Sequence, residues 1–360
     1  MSITMHEGLI DQDQKFKKRI ASRDTSTYKV VHRRKLVVGF PIDEGVLGFQ
    51  NKYDAAAVSP AYDIWEETGS HQIDLNYFER ILRSPFARMI YASKMRGTTN
   101  RRRTVPKEIF KQIMFPLPPL EEQKRIAEIL DAADALRAKR REALAKLDDL
   151  LQSTFLDMFG DPVTNPKGWE VGTIGDHTSV GSGAGFPNKY QGEASGDYPF
   201  YKVSDMNLPE NERQMQTHNN AISDEVRVAL RAKSHPIGTI IFPKIGAAIA
   251  TNKKRVLTTP SCFDNNVIGI HPTNRISVSY LFELIQTKDL MDFANPGNPP
   301  SIRKTAIEDW SIPLPPLDLQ QRFAEIVSSV EEQKAKMRKH LEQLDDLFAS
   351  LQQRAFRGDL

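Results

Sequence analysis

The sequence predicts an α+β fold written twice: two pseudo-symmetric mixed globules, each handing over to a long helix, with the two helices paired as an antiparallel coiled coil. Three observations predict it. The stretch "FPLPPLEEQKRIAEIL" begins at Phe115 and "IPLPPLDLQQRFAEIV" begins at Ile312, 197 positions later; extended without a gap, residues 115–159 and 312–356 share 20 identities. Beyond each proline start, apolar residues recur at alternating spacings of three and four, the pattern of a buried helical stripe. Before each start, short β-like runs such as "YKVVHRRKLVVGF" and "GTIIFPKIG" alternate with Gly, Pro and Asn punctuation, the signature of small twisted sheets.

The first segment, residues 1–114, carries β-like runs and then "IDLNYFERIL" (Ile73–Leu82), which resembles "ISVSYLFELI" (Ile276–Ile285) in the second segment. A Gly-containing basic loop follows in each case, "MRGTTNRRRTV" in one and "NPGNPPSIRKTA" in the other. The second element, 115–159, opens with prolines that hold the chain extended, then Glu121 and Glu122, acidic residues suited to a helix N-terminus. Its stripe runs through Leu130, Ala133, Leu144, Leu147, Leu151 and Met158. Residues 160–311 form the second globule, and 312–360 repeat the helix, with Asp318 at its start and Val327, Val330, Met337, Leu341, Leu344, Phe348, Leu351 and Ala355 in the same phase. Arg137, Arg140 and Lys334 interrupt the stripes at equivalent depth, as polar residues do where a coiled coil fixes its register. A helix of ~38 residues is ~57 Å long and would expose its stripe if alone. Pairing the two copies buries both, and a single chain returning between them favours the antiparallel orientation.

The bulk numbers exclude several classes. With 39% hydrophobic residues over 360 positions each globule has material for a core. No stretch approaches the ~18 uncharged apolar residues that span a bilayer and no signal-peptide pattern opens the chain, so a cytoplasmic protein without membrane contact is expected. Cys262, the single cysteine, forms no internal disulfide and reads as a packed residue. The net charge is only +3, but all of the basic excess lies in residues 1–114, with 20 Lys and Arg against 13 Asp and Glu. The clusters "HRRK" (His32–Lys35), "NRRR" (Asn100–Arg103) and "NKKRV" (Asn252–Val256) have the charge to neutralise phosphates.

Pro-Leu-Pro-Pro-Leu followed by an acidic residue and Gln at a helix start, given twice after segments of domain size, resembles the specificity subunit of type I restriction-modification systems. "VSPAYDIW" (Val58–Trp65) and "YPFYKVSDM" (Tyr198–Met206) look like stretches of that family's target recognition domains. The resemblance implies two such domains, each reading one half of a split double-stranded DNA target. It implies that the helices set the unread gap, that methyltransferase subunits, two in number, dock on the helical region, and that restriction/translocase subunits join them. Half-sites a helical turn apart, ~34 Å, or a multiple of it suit a rigid helical spacer. It also implies a non-catalytic chain, with AdoMet, ATP and Mg²⁺ held by the partners. One departure stands out: the second segment opens with "NPKGWEVGTIGD" (Asn165–Asp176), and the first has no similar opening, so the first domain reads as shortened.

Enzymatic motifs are weak. "NPPS" (Asn298–Ser301) resembles the Asn-Pro-Pro-aromatic motif of amino methyltransferases, but a serine holds the aromatic place, and a tight turn is expected. "GSGAGF" (Gly181–Phe186) is a weak match to a nucleotide loop, but no apolar helix follows it and it reads as a flexible loop near DNA or at the surface; no GxxxxGK[ST] loop occurs, and the eight histidines show no metal spacing. DNA contacts are expected from Lys94, Arg101, Arg102 and Arg103 in the first globule. In the second they are expected from Lys202, Asp205, Lys244, Lys253, Lys254, Arg303 and Lys304. The partner-binding face is expected at the helix starts: Leu120, Gln123 and Arg125, and their counterparts Leu317, Gln320 and Arg322. The competing readings are a coiled-coil scaffold whose globules bind protein, and a free-standing DNA-binding regulator, against which stands the lack of a helix-turn-helix pattern.

Overall fold

The computed structural model describes residues 1–5, 8–12, 26–69, 72–96 and 104–360, and the chain divides into two compact units, residues 1–142 with 337–360 and residues 143–336. Each long helix gives one half to each unit, so each unit combines a globule with two half-helices.

In unit 1 the described strands are β1 (Ser2–Thr4), β2 (Gly8–Ile10), β3 (Lys29–His32), β4 (Leu36–Val38), β5 (Leu47–Phe49), β6 (Ala55–Val58) and β7 (Asp63–Trp65). They pair antiparallel as β1–β2, β3–β6 and β5–β4–β7. "HRRK" forms the β3–β4 turn, where Arg34 takes a left-handed φ of 67°. Helix α1 (Leu75–Arg83) starts at Asp74, whose carboxylate accepts the Tyr77 N–H at 2.8 Å. Helix α2 (Pro85–Lys94) starts at Ser84, with proline in its first turn, and the short α3 (Lys107–Lys111) precedes the first long helix, α4 (Leu120–Phe159). Leu36, Leu47, Leu82 and Tyr91 form one core under α2.

Unit 2 is richer in strands. It opens with β8 (Glu170–Thr173), α5 (Ile174–His177), β9 (Thr178–Ser182), β10 (Tyr198–Tyr201), β11 (Gln214–Met215), β12 (Ala221–Ile222) and α6 (Asp224–Ala229). The strands β13 (Ile240–Pro243), β14 (Arg255–Leu257), β15 (Cys262–Phe263) and β16 (Val267–Pro272) lead to α7 (Val278–Gln286). The unit closes with β17 (Ala294–Asn295), β18 (Ser301–Ile302), α8 (Lys304–Glu308), β19 (Ser311–Leu314) and the second long helix, α9 (Leu317–Ala355). A five-stranded sheet runs β11–β14–β13–β16–β9, a three-stranded one β12–β10–β15, and β8 pairs antiparallel with β19. Strand β13 is buried on both faces: Ile240 and Phe242 face the cluster holding Phe155, Phe159, Tyr280 and Phe323, and Ile241 faces Tyr201, Met215 and Phe263. "NPPS" lies in the turn between β17 and β18, which pair antiparallel.

The helices are antiparallel in each unit taken by itself. In unit 1, Ile126, Ala127 and Leu130 near the start of α4 pack with Phe348, Leu351 and Ala355 near the end of α9. In unit 2, Leu147, Leu151, Phe155 and Phe159 from the end of α4 pack with Phe323, Val327 and Val330 from the start of α9. Two of the polar interruptions are ion pairs related by the 197-residue repeat. Arg137 donates to Asp345 and stacks 4.3 Å from the Phe348 ring centre, while Lys334, 2% exposed, donates to Asp148.

The same junction ties globule to helix twice. Gln123 is 1% exposed; its amide donates to the carbonyls of Pro118 (2.7 Å) and Gln72 (3.1 Å), and its oxygen accepts the Asp74 N–H (2.9 Å). Gln320 is fully buried and donates to Pro315 (2.8 Å) and Arg275 (3.2 Å), accepting from Ser277 N–H (2.8 Å). Above them the Tyr77 hydroxyl donates to Pro116 and the Tyr280 hydroxyl to Pro313. This corrects the expectation for Gln123 and Gln320: both amides are consumed inside the fold and present nothing to a partner.

Candidate nucleic-acid interface

Of the cations expected to meet DNA in unit 2, Lys202, Lys244, Lys253, Arg303 and Lys304 reach the surface. Lys202 follows β10 and donates to the side-chain oxygen of Gln191 at 2.8 Å; that glutamine is itself held by donating to the Phe186 carbonyl at 2.8 Å. Lys244 follows β13 and donates to the Ser182 hydroxyl at the end of β9 (3.1 Å), while its N–H donates to the Asn266 carbonyl (2.9 Å). Lys253 donates to the side chain of Asn207. Lys304 caps no helix; it pairs with Glu308 one turn on at 3.1 Å, and Arg303 beside it is exposed. Lys244 and Lys253 meet neutral hydroxyl and amide groups and make no ion pair among the described residues, the state a phosphate-binding ammonium requires, whereas Lys202, also bonded to a neutral amide, lies in the field of the Asp264 carboxylate.

Two residues expected on this face are internal. Asp205 is fully buried: one carboxylate oxygen accepts the Lys202 N–H (2.7 Å), and the other accepts the Asn219 backbone N–H (3.2 Å) and side-chain amide (2.7 Å). It fastens the turn after β10 and reads no base. Lys254 is also fully buried, donating to the Asn252 side chain (2.9 Å) and the Lys288 carbonyl (2.7 Å), and burial pulls its pKa down to about 8. Its neighbour Arg255 spends its guanidinium on the carbonyls of Asn211, Lys254 and Met206. So "NKKRV" owes its basic letters mostly to internal capping of carbonyls, which charge counting does not distinguish from phosphate binding.

"GSGAGF" is packed where a flexible loop was expected. Gly181 and Ser182 belong to β9, and a side chain at Gly183 would collide with the carbonyls of Phe263 and Asp264. The Ala184 N–H donates to Phe263 (3.0 Å), and Phe186 stacks on Phe200 with centroids 3.9 Å apart and planes 14° off parallel. This anchored arm presents exposed Asn188 and Lys189 beside Gln191, three residues that sequence reasoning missed. Nothing in their spacing marks them; their one signal is position, directly after a glycine run that the fold requires. Cys262 is fully buried and burial pushes its thiol up to about 11, in keeping with a packed residue.

In unit 1, Lys94 is exposed at the end of α2; Arg101, Arg102 and Arg103 lie outside the described residues. The "HRRK" cations are answered by acids: Arg33 by Asp54 (3.2 Å), Arg34 by Glu67 (3.7 Å) and Lys35 by Glu66. On the expected partner face, Leu317 is 42% exposed, Leu120 is half-buried, and Arg125 and Arg322 are exposed. Arg125 pairs with Glu122 (2.7 Å) and Arg322 lies 4.0 Å from Asp318. Among the described residues no helix is long and apolar enough to cross a membrane, and no group of three or more His, Cys, Asp or Glu is placed to hold a metal.

This architecture has known relatives. The specificity subunit of the type I restriction enzyme MjaVIII from Methanocaldococcus jannaschii is 25% identical over 269 residues, 67% of this chain and 60% of that protein. The MjaIX specificity subunit of the same organism is 24% identical over 238 residues, 60% of this chain and 54% of that protein; the matches thus span little more than half of either relative. Among solved structures, a chain from a study of complex assembly and conformational transition of the type I R-M system superposes with a TM-score of 0.61 at 19% identity, covering 92% of this chain and 84% of that one. The type I restriction-modification S subunit of M. genitalium gives 0.51 at 16% identity, covering 91% and 83%, so both share the fold. The family model described as the type I restriction modification DNA specificity domain matches residues 71–146 and 166–345, most of the chain, and the protein belongs to that family.

Proposed function

We propose that this chain is the sequence-reading subunit of a type I restriction-modification complex, recognising a bipartite duplex target and directing methyltransferase and restriction/translocase subunits to it. The observation that carries the reading is the repeated junction: Gln123 and Gln320 clamp two different globules to two like helices with the same three hydrogen bonds. A chain that repeats its mechanical joint while varying the globule suits two half-sites that differ in sequence and share one scaffold. Lys202, Lys244 and Lys253, with Arg303 and Lys304, position the second globule on phosphates, and the arm held in place by Gln191 presents the Asn188 amide and the Lys189 ammonium to base edges. Lys94 and the Arg101–Arg103 run serve the first globule. The residues at the helix starts, exposed Arg125, Leu317 and Arg322 with half-buried Leu120, face two methyltransferase subunits. The chain itself is non-catalytic in this reading: AdoMet, ATP and Mg²⁺ belong to the partners, which perform methylation and translocation.

Duplex binding measured with and without the neighbouring methyltransferase across a salt series tests this. Affinity that falls with the logarithm of salt is expected. Affinity that never appears in the complex, or that ignores salt, overturns it. Mapping methylated adenines in a genome carrying the intact system reads the geometry: a bipartite motif is expected, and a one-sided or palindromic motif would show that unit 1 does not read.

A further inference from the structure

The two copies of the proline start differ in one respect. In unit 2, β19 is a paired strand: Ser311, Ile312, Pro313 and Leu314 lie opposite Thr173, Gly172, Val171 and Glu170 of β8. Its apolar residues are sealed, with Ile312 0% and Leu314 6% exposed. The equivalent residues of unit 1, Met114 to Leu117, form no strand, and among the described residues Met114, Phe115 and Leu117 make no backbone hydrogen bond. Met114 is 84% and Leu117 37% exposed. The same chemistry that needs a covering strand in one unit stands without one in the other.

We propose that Met114–Leu117 is a strand-docking edge that accepts an extended segment of a partner polypeptide with the chemistry of β8: a tryptophan, an acidic residue, then Val-Gly-Thr. The internal copy says what fits. In unit 2 the Trp169 indole donates to the Phe159 carbonyl (2.8 Å), Glu170 pairs with Arg275 (2.9 Å), and the Ile174 N–H closes the ladder on Trp310 (2.9 Å). Charge is complementary in unit 1 as well. The Leu117 end of the edge borders a cavity of about 320 Å³, whose lining includes Pro116, Ile126, Ala355 and Arg357. Arg357 is exposed and makes no ion pair among the described residues, while Glu122 of the same lining is already paired with Arg125 at 2.7 Å. In the β8–β19 register the acidic residue lies opposite Leu314, so its counterpart on a docked strand lies opposite Leu117, beside Arg357. An unpaired edge recruits strands through main-chain hydrogen bonds, and the flanking pockets select the side chains. This inference is independent of DNA reading.

The test titrates the intact chain with a labelled synthetic peptide copying Asn165–Ile174 and reads fluorescence anisotropy together with amide hydrogen exchange. Saturable one-site binding is expected, with new protection at Phe115 and Leu117. A peptide carrying Glu170→Lys should bind about fivefold more weakly, and Arg357→Glu in the chain should restore it. Arg357 is exposed, so that variant is expected to fold, and Leu117→Asp should abolish binding. The proposal is overturned by three results: no saturable binding, binding that leaves exchange at 113–117 unchanged, or sedimentation showing that a second copy of the chain occupies the edge.

Discussion

Replacing Gln320 by leucine keeps the side chain's bulk and deletes three hydrogen bonds at once. The residue has no exposed surface, and its partners are the Ser277 N–H and the carbonyls of Pro315 and Arg275. The Pro315 carbonyl is left unsatisfied in a buried place and the Ser277 N–H and Arg275 carbonyl in part-buried ones, at about 1 kcal/mol apiece, so up to about 3 kcal/mol of unit stability is lost. For a unit of this size that is about 6–12 °C in Tm. Urea unfolding followed by the fluorescence of Trp169 and Trp310 reports unit 2, and Trp65 reports unit 1, where Gln123→Leu should cost a similar amount. Loss of methyltransferase binding by either variant at unchanged stability would refute the reasoning and return both glutamines to the partner face.

Three further outcomes are expected. Lys334→Met should be neutral or stabilising, because a well-packed apolar residue avoids desolvating the ammonium, while Asp148→Ala, which leaves Lys334 buried beside Glu331 alone, should cost about 1–2 kcal/mol in urea unfolding. His235 stacks on Phe263, its Nε2 has no partner, and burial, with Lys233 and His271 adding repulsion, lowers its pKa to about 4; the unfolded chain therefore binds the extra proton first. The contribution is full well above pH 6.5 and should fall by about 3 kcal/mol on reaching pH 4, a slope that His235→Phe removes from a pH series of unfolding curves. Lys244→Ala should reduce the salt slope of DNA binding by about one, while Lys254→Met should leave the slope unchanged, as salt-dependent affinity measurements will show.

Much of this fold was legible because the repeat encodes mechanics. Leu130, Leu147, Leu151, Val327 and Val330 fall on the helical stripe that the three-four spacing marks, and Arg137 and Lys334 interrupt it where ion pairs cross between helices. What a stripe cannot show is which polar residues turn inward. Gln123 and Gln320 repeat for the sake of the joint, and repetition alone does not separate a joint from a docking face. Likewise Lys202 and Lys254 carry the same charge in sequence, yet Lys202 meets a surface amide while Lys254 is folded under a carbonyl from a segment 34 residues away. Side-chain direction in irregular loops depends on long-range packing, which local letters do not carry.

The ionic ladder beside each junction shows how one helical frame serves two unlike globules. The helix acids and bases keep their signs across the repeat: Asp134 and Glu331, Arg137 and Lys334, Asp345 and Asp148. The globule side reverses sign, because Arg80 of α1 occupies the place that Glu283 holds in α7. In unit 1, Arg80 answers Asp131 directly, with Asp134 3.8 Å away. In unit 2, Glu283 facing Glu331 would be two carboxylates on one site, and Arg213 from the segment before β11 enters between them. It pairs with Glu283, lies 3.5 Å from Glu331 and stacks 4.4 Å from the Phe282 ring centre. The cation therefore comes from the helix α1 in one unit and from a loop of the globule in the other. A grafted second globule must bring its own Arg213 or reverse Glu283. A chimera with neither should lose stability in that unit while its helix pairing stays intact, and circular dichroism with urea titration distinguishes the two.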